Sequence, residues 1–234
     1  MSRIEGNIMK VRLTFQDEVL GTLPNDKDVY INFIGSKSPD AATIEEEVEA
    51  IGVEGYAARS ITVFPRRPED NALSLYNYLI KGFFKNACYA LKKAEKGKSA
   101  KSSNYKKNIS TEIFVHPRFI PIMTPDGELT MEPGEPCQRP LRAQTAQGER
   151  ISLAISETIP AGSYVEFEIE YFIDSDLELI RDWLDYGRLN GLGQWHNSGK
   201  GIFSWEELET STVESEKEET APKKRGRKPK ATTE

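Results

Sequence analysis

Ser163-Tyr-Val-Glu-Phe-Glu-Ile-Glu-Tyr-Phe-Ile173 runs straight into Asp174-Ser-Asp-Leu-Glu-Leu-Ile-Arg-Asp-Trp-Leu-Asp185. In the first part, Val165, Phe167, Ile169 and Tyr171 recur at every second position with polar residues between them, the spacing of a strand with one buried face. In the second part the period becomes helical. Leu177, Ile180, Trp183 and Leu184 make one apolar stripe, and Asp174 or Ser175 stands where a helix cap belongs. A glycine-rich stretch follows, and then Gly201-Ile-Phe-Ser-Trp-Glu206 reads as a closing strand. The C-terminal half therefore spells strand, helix, strand.

Upstream, Leu73–Leu91 carries Leu75, Leu79, Phe83, Cys88 and Leu91 near helical spacing, with Asn71 as a candidate cap. Ile8–Gln16 alternates as a strand, Glu112–Ile122 reads as a strand with prolines at its edges, and Leu141–Ala154 as another. The order βαββαβ predicts an α+β fold of the ferredoxin-like or RRM type. Two helices would cover one face of an antiparallel sheet and leave the other open for a ligand. The domain is expected to span residues 1–208, with insertions at about 20–70 and 92–142. Within the first, Val29–Ile34 suggests a short strand, Ile44–Ile51 a helix capped by Thr43, and Ala58–Arg67 an extended segment. Within the second, the Lys/Ser/Gly run Lys92–Asn108 predicts a mobile loop, and the Pro/Gly-rich Thr124–Arg142 an excursion from the sheet. Residues 209–234 lack periodicity and are expected to be a disordered tail, acidic and then basic.

Composition limits the function. The 234 residues contain no apolar run near the roughly 20 residues that a membrane helix requires, and the N-terminus has no signal-peptide core, which predicts a cytoplasmic protein without membrane contact. Two cysteines, Cys88 and Cys137, and two histidines make no metal set, so neither a metal nor a cofactor is expected. Net charge is −6, yet charge is clustered. Acids collect at Glu45–Glu47 and Glu206–Glu219, bases at Lys92–Lys107 and Lys223–Lys230. Local field rather than total charge steers a polyanion.

Between helix and closing strand lies Gly187-Arg-Leu-Asn-Gly-Leu-Gly-Gln-Trp-His-Asn-Ser-Gly-Lys-Gly201. Glycine lets backbone approach another chain closely, and Arg188, His196 and Lys200 offer donors and charge to a sugar-phosphate backbone. Trp195 is a candidate stacking platform. Lys81 and Lys85 share a helix face. Arg66 and Arg67 beside Phe64, and Arg118 between aromatic residues, suit phosphate contact or base stacking. Lys96, Lys98 and Lys101 would act as a cationic arm.

Three segments resemble the RAMP superfamily, the RRM-like proteins of CRISPR effector complexes. Tyr76-Asn-Tyr-Leu-Ile-Lys-Gly-Phe-Phe-Lys-Asn-Ala87 is similar to the family's first-helix segment, Glu157-Thr-Ile-Pro-Ala-Gly-Ser-Tyr-Val-Glu-Phe-Glu-Ile169 to its proline-glycine turn and alternating strand, and Gly191-Leu-Gly-Gln-Trp-His-Asn-Ser-Gly-Lys-Gly-Ile-Phe203 to its glycine loop. The resemblance implies a non-catalytic protein that binds single-stranded RNA, or single-stranded DNA, without sequence preference. It also implies a homo-oligomer or a subunit of a larger ribonucleoprotein complex. A stand-alone phage or mobile-element relative fits the same resemblance.

Two other classes stay open. A RAMP-type endoribonuclease would use His196 or His116 as its acid–base group. An interaction module that mimics a CRISPR subunit would use its acidic surface instead. Asp17, Asp26 and Asp28 read as turn caps. The tail segment Lys224-Arg-Gly-Arg-Lys-Pro-Lys230 is similar to an AT-hook and suggests polyanion contact.

Overall fold

The structure, a computed structural model, describes residues 6–25, 61–145 and 148–211. Strand β1 (Asn7–Phe15) buries Met9, Val11, Leu13 and Phe15 and turns Ile8, Lys10, Arg12 and Thr14 to its other side. The short strands β2 (Val19–Leu20), β3 (Leu23–Pro24), β4 (Ile61–Val63) and β5 (Ser74–Tyr76) precede helices α1 (Asn77–Lys93) and α2 (Tyr105–Thr111). Then come β6 (Ile113–His116), β7 (Phe119–Met123), β8 (Cys137–Thr145), β9 (Gly148–Ser156), β10 (Thr158–Ile159) and β11 (Tyr164–Tyr171). Helix α3 (Asp176–Asp185) and strand β12 (Phe203–Ser211) complete a mixed α+β architecture.

The main sheet is antiparallel in the order β12-β1-β11-β7-β5, and β6 also pairs with β11. β6 and β7 lie end to end along β11, with His116 opposite Glu168 and Ile122 opposite Val165. They part at Pro117, which has no N–H for the ladder. A second sheet runs β3-β4-β9-β8, and β2 pairs with β10. Helices α1 and α3 share the buried core with the main sheet: the Phe83 and Phe203 ring centroids are 5.2 Å apart, those of Phe84 and Trp183 5.4 Å. Each such aromatic contributes about 1.5–3 kcal/mol by leaving water.

Several expectations change. The helix expected from Leu73 begins at Asn77, because Ser74–Tyr76 pairs with β7 and the Leu73 and Ser74 amides already donate to Thr130 and Pro65 carbonyls. Asn71 takes a left-handed conformation (φ 62°) and does not cap α1. Lys92–Asn108, expected as a mobile loop, is ordered. Lys92 and Lys93 finish α1, a 3-10 turn covers Lys98–Lys101, and α2 starts at Tyr105. The indole of Trp183 donates to Ser99 Oγ (2.9 Å), and Asp182 accepts the Lys98 amide (2.6 Å). The expected strand Leu141–Ala154 is a hairpin, β8 and β9, with Thr145 opposite Gly148. The span 92–142, expected as an insertion, contains β6 and β7 of the main sheet. β12 continues past residue 208, and Glu209–Ser211, expected as tail, pair with β1. The expected strand Val29–Ile34, the helix Ile44–Ile51 and residues 212–234 lie outside the described residues.

Candidate nucleic-acid interface

The face of the main sheet turned away from the helices is acidic. Alternation and register place Glu166, Glu168 and Glu170 of β11 there, beside Glu206 and Glu209 of β12. Lys10 and Arg12 lie among them, and Arg12 is already bonded to Glu166 (Nε to Oε1, 2.8 Å) and Glu206 (2.8 Å), which push its pKa up. His116 stands 3.4 Å from Glu170 on this face. An open cleft of about 410 Å³ there is lined by Lys10, Arg67, His116, Pro121, Tyr164 and Glu168. Glutamates at this density repel a phosphate chain.

The glycine loop is closed on itself. A Cβ on Gly191 would lie 2.2 Å from the Gly201 carbonyl carbon, and one on Gly201 (φ 67°) would lie 2.1 Å from the Leu192 oxygen. These glycines let the two arms of the loop touch each other, where the sequence suggested room for a foreign backbone. The Leu192 amide donates to the Gly201 carbonyl (2.9 Å), and the Gly201 amide to Glu18 (2.8 Å).

Lys200, expected on phosphate, is paired with Glu18 (2.6 Å) and Asp17 (3.1 Å), and chiefly Glu18 pushes its pKa up. Asp17 also accepts the amide of the next residue, Glu18 (2.7 Å). Asp26 and Asp28 lie outside the described residues. His196 contacts the Gly193 carbonyl (3.0 Å), whereas His116 faces Glu170, so the two imidazoles have separate partners.

The other cations divide clearly. Arg66 donates to the Met131 (2.8 Å) and Asn71 (3.3 Å) carbonyls. Arg67 is clamped to Asp70, whose carboxyl it holds at about 2. Lys81 donates to the Ser110 carbonyl (3.2 Å) and lies over the Phe114 ring (5.0 Å), and burial, then Lys85, pushes its pKa down. Arg118 is exposed with its guanidinium 5.9 Å from the Phe119 ring, and Arg188 is exposed at a cleft with Gly97 and Asp182. Lys96, Lys98 and Lys101 are exposed, and their ammonium groups enter no ion pair among the described residues. They belong to a cationic segment: from Lys81 to Lys107 the chain has nine lysines and one acid, Glu95. Packing against α3 holds this segment in place on the helical side.

One residue escaped the sequence. Arg139 on β8 is only 9% exposed. Its Nη2 donates to Gln194 (2.6 Å), and its guanidinium stacks 5.1 Å from the Trp195 ring centroid. An arginine in a Pro/Gly-rich stretch carries no local signal, and only the fold brings it beneath the glycine loop.

No protein-family model matches the chain, and no curated protein matches it. Among solved structures, it is similar to a chain in the cryo-EM structure of the Type III-B Cmr-beta bound to cognate target RNA. Identity is 12%, the TM-score is 0.45, and the match covers 89% of this chain and 61% of that one. Among the described residues, no helix is long and apolar enough to cross a membrane.

Proposed function

We propose that this chain is a sequence-tolerant, non-catalytic single-stranded nucleic-acid-binding protein, with RNA preferred to DNA, that assembles along the strand or within a ribonucleoprotein complex. Its core is read as ferredoxin-like and RAMP-type. A helix follows the first and third core strands, and the sheet order β12-β1-β11-β6/β7 is the order such a core takes. The observation that carries the reading is the ordered lysine surface of α1, the 3-10 turn and α2. Among the described residues its exposed ammonium groups enter no ion pair, so they are available to phosphates. The strand lies on this helical side, because glutamates occupy the open face of the sheet.

The test is titration of a fluorescent oligouridine across salt concentrations, with the wild type beside the triple variant Lys96→Gln, Lys98→Gln, Lys101→Gln. Three lost phosphate contacts reduce the slope of log K against log salt by about 2. An unchanged slope removes this surface from the interface.

A second reading has its own support. The glutamates on the open sheet face suit a cationic protein partner, so the chain would act as an interaction module. Co-purification of a basic protein after nuclease treatment, lost on Glu168→Lys, distinguishes that function.

A further inference from the structure

We infer that Arg139 and Trp195 form a lidded site for one phosphodiester group of the bound strand. This inference rests on the nucleic-acid reading above and deepens it. Burial of a guanidinium is costly unless a carboxylate or several acceptors compensate it. Arg139 has neither. Its Nε and Nη1 are buried without a hydrogen-bond partner, and it enters no salt bridge among the described residues. Among the described residues, one amide oxygen, Gln194 Oε1, and one aromatic face meet the charge. Gln194 takes one N–H of Nη2, so one of the two forked edges of the planar cation, Nε/Nη2 or Nη1/Nη2, keeps both its donors free for two oxygens of a phosphate.

The cover is the part able to move. Trp195 is 40% exposed and sits in the left-handed region (φ 57°), a conformation that disfavours a bulky side chain. Gly193 (φ 83°) and Gly199 (φ 90°) flank it as pivots, while the Leu192–Gly201 and Gly201–Glu18 hydrogen bonds hold the base of the loop. When the indole swings aside, the Arg139 donors meet a phosphate without disturbing that base. The displaced indole then stacks on the adjoining nucleobase, a contact that any base sequence supplies. The opposed surfaces are the base of the β8–β9 hairpin and the glycine loop.

The experiment uses the full chain, a 12-nucleotide oligouridine and intrinsic tryptophan fluorescence. Three proteins are compared: wild type, Trp195→Phe and Arg139→Met. Expected are quenching in the wild type, its loss in Trp195→Phe, and about tenfold weaker binding by Arg139→Met, as for loss of a charged hydrogen bond. The melting temperature of Arg139→Met should stay level or rise, because an uncompensated cation has gone. A fall in that melting temperature would assign the guanidinium a structural role and overturn the inference. So would wild-type affinity in Arg139→Met, or quenching that persists in Trp195→Phe. Failure of the wild type to bind at low salt would sink the broader reading and this site with it.

Discussion

Gly201→Ala and Gly199→Ala, only two positions apart, should differ sharply in cost. Both residues have positive φ, 67° and 90°, so each alanine incurs about 1–2 kcal/mol for a left-handed conformation. At Gly199 nothing lies within 4 Å of the new methyl, and the cost stops there. At Gly201 the methyl would lie 2.1 Å from the Leu192 carbonyl oxygen, which is backbone and cannot rotate away. The two arms of the loop must separate, which breaks the Leu192-to-Gly201 hydrogen bond and loosens the Gly201-to-Glu18 one. Each is worth about 1 kcal/mol net, more where the freed group stays buried. Gly201→Ala should therefore lose about 3–5 kcal/mol, a large share of a typical 5–15 kcal/mol domain stability. Equilibrium urea unfolding followed by circular dichroism measures both variants. Equal losses would refute the self-closed loop and return its glycines to the role of making room for a ligand.

The Asp70 carboxyl should titrate near 2 by NMR and return toward the ordinary carboxylate range in Arg67→Ala. Its folded value is lowered, so its contribution to stability is present above the unfolded value and fades as pH falls from about 4 toward 2. Ser99→Ala should cost about 1–2 kcal/mol by leaving the Trp183 indole N–H without an acceptor, and should speed amide exchange in Lys98–Ser102. Under native conditions one thiol should react quickly with a disulfide reagent. That thiol is the half-buried Cys137, whereas Cys88 is fully buried and its pKa is pushed up by burial. Two fast equivalents would contradict the packing of α1 on α3.

The strands β1 and β11 and the helix α3 were legible because each has one buried face, and burial on one face imposes a period on the residues. The start of α1 was not. Leu73 and Leu75 continue an apolar pattern through a strand and into a helix, and only pairing with β7 decides where the change occurs. The lysine segment carried the composition of a loop. Its order comes from Asp182 and Trp183, far along the chain, which composition near Lys98 does not register. The glycines were correctly marked as points of close approach, but glycine does not say what approaches. Here Gly191 and Gly201 approach each other. The ion pairs of Lys200 were hidden for a similar reason: its acids, Asp17 and Glu18, belong to a distant turn. Arg139 was invisible because what singles it out, two buried nitrogens without an acceptor, exists only in three dimensions.

Charge in the described part of this fold is uneven, with glutamates on the bare face of the main sheet and, on the helical side, the lysines of α1, the 3-10 turn and α2 beside the acids of α3. A polyanion exerts a torque as well as a pull on a molecule with so uneven a surface. Diffusing toward a nucleic acid, it would arrive already turned, helices first. Raising the ionic strength would then blur its aim before it weakened its grip.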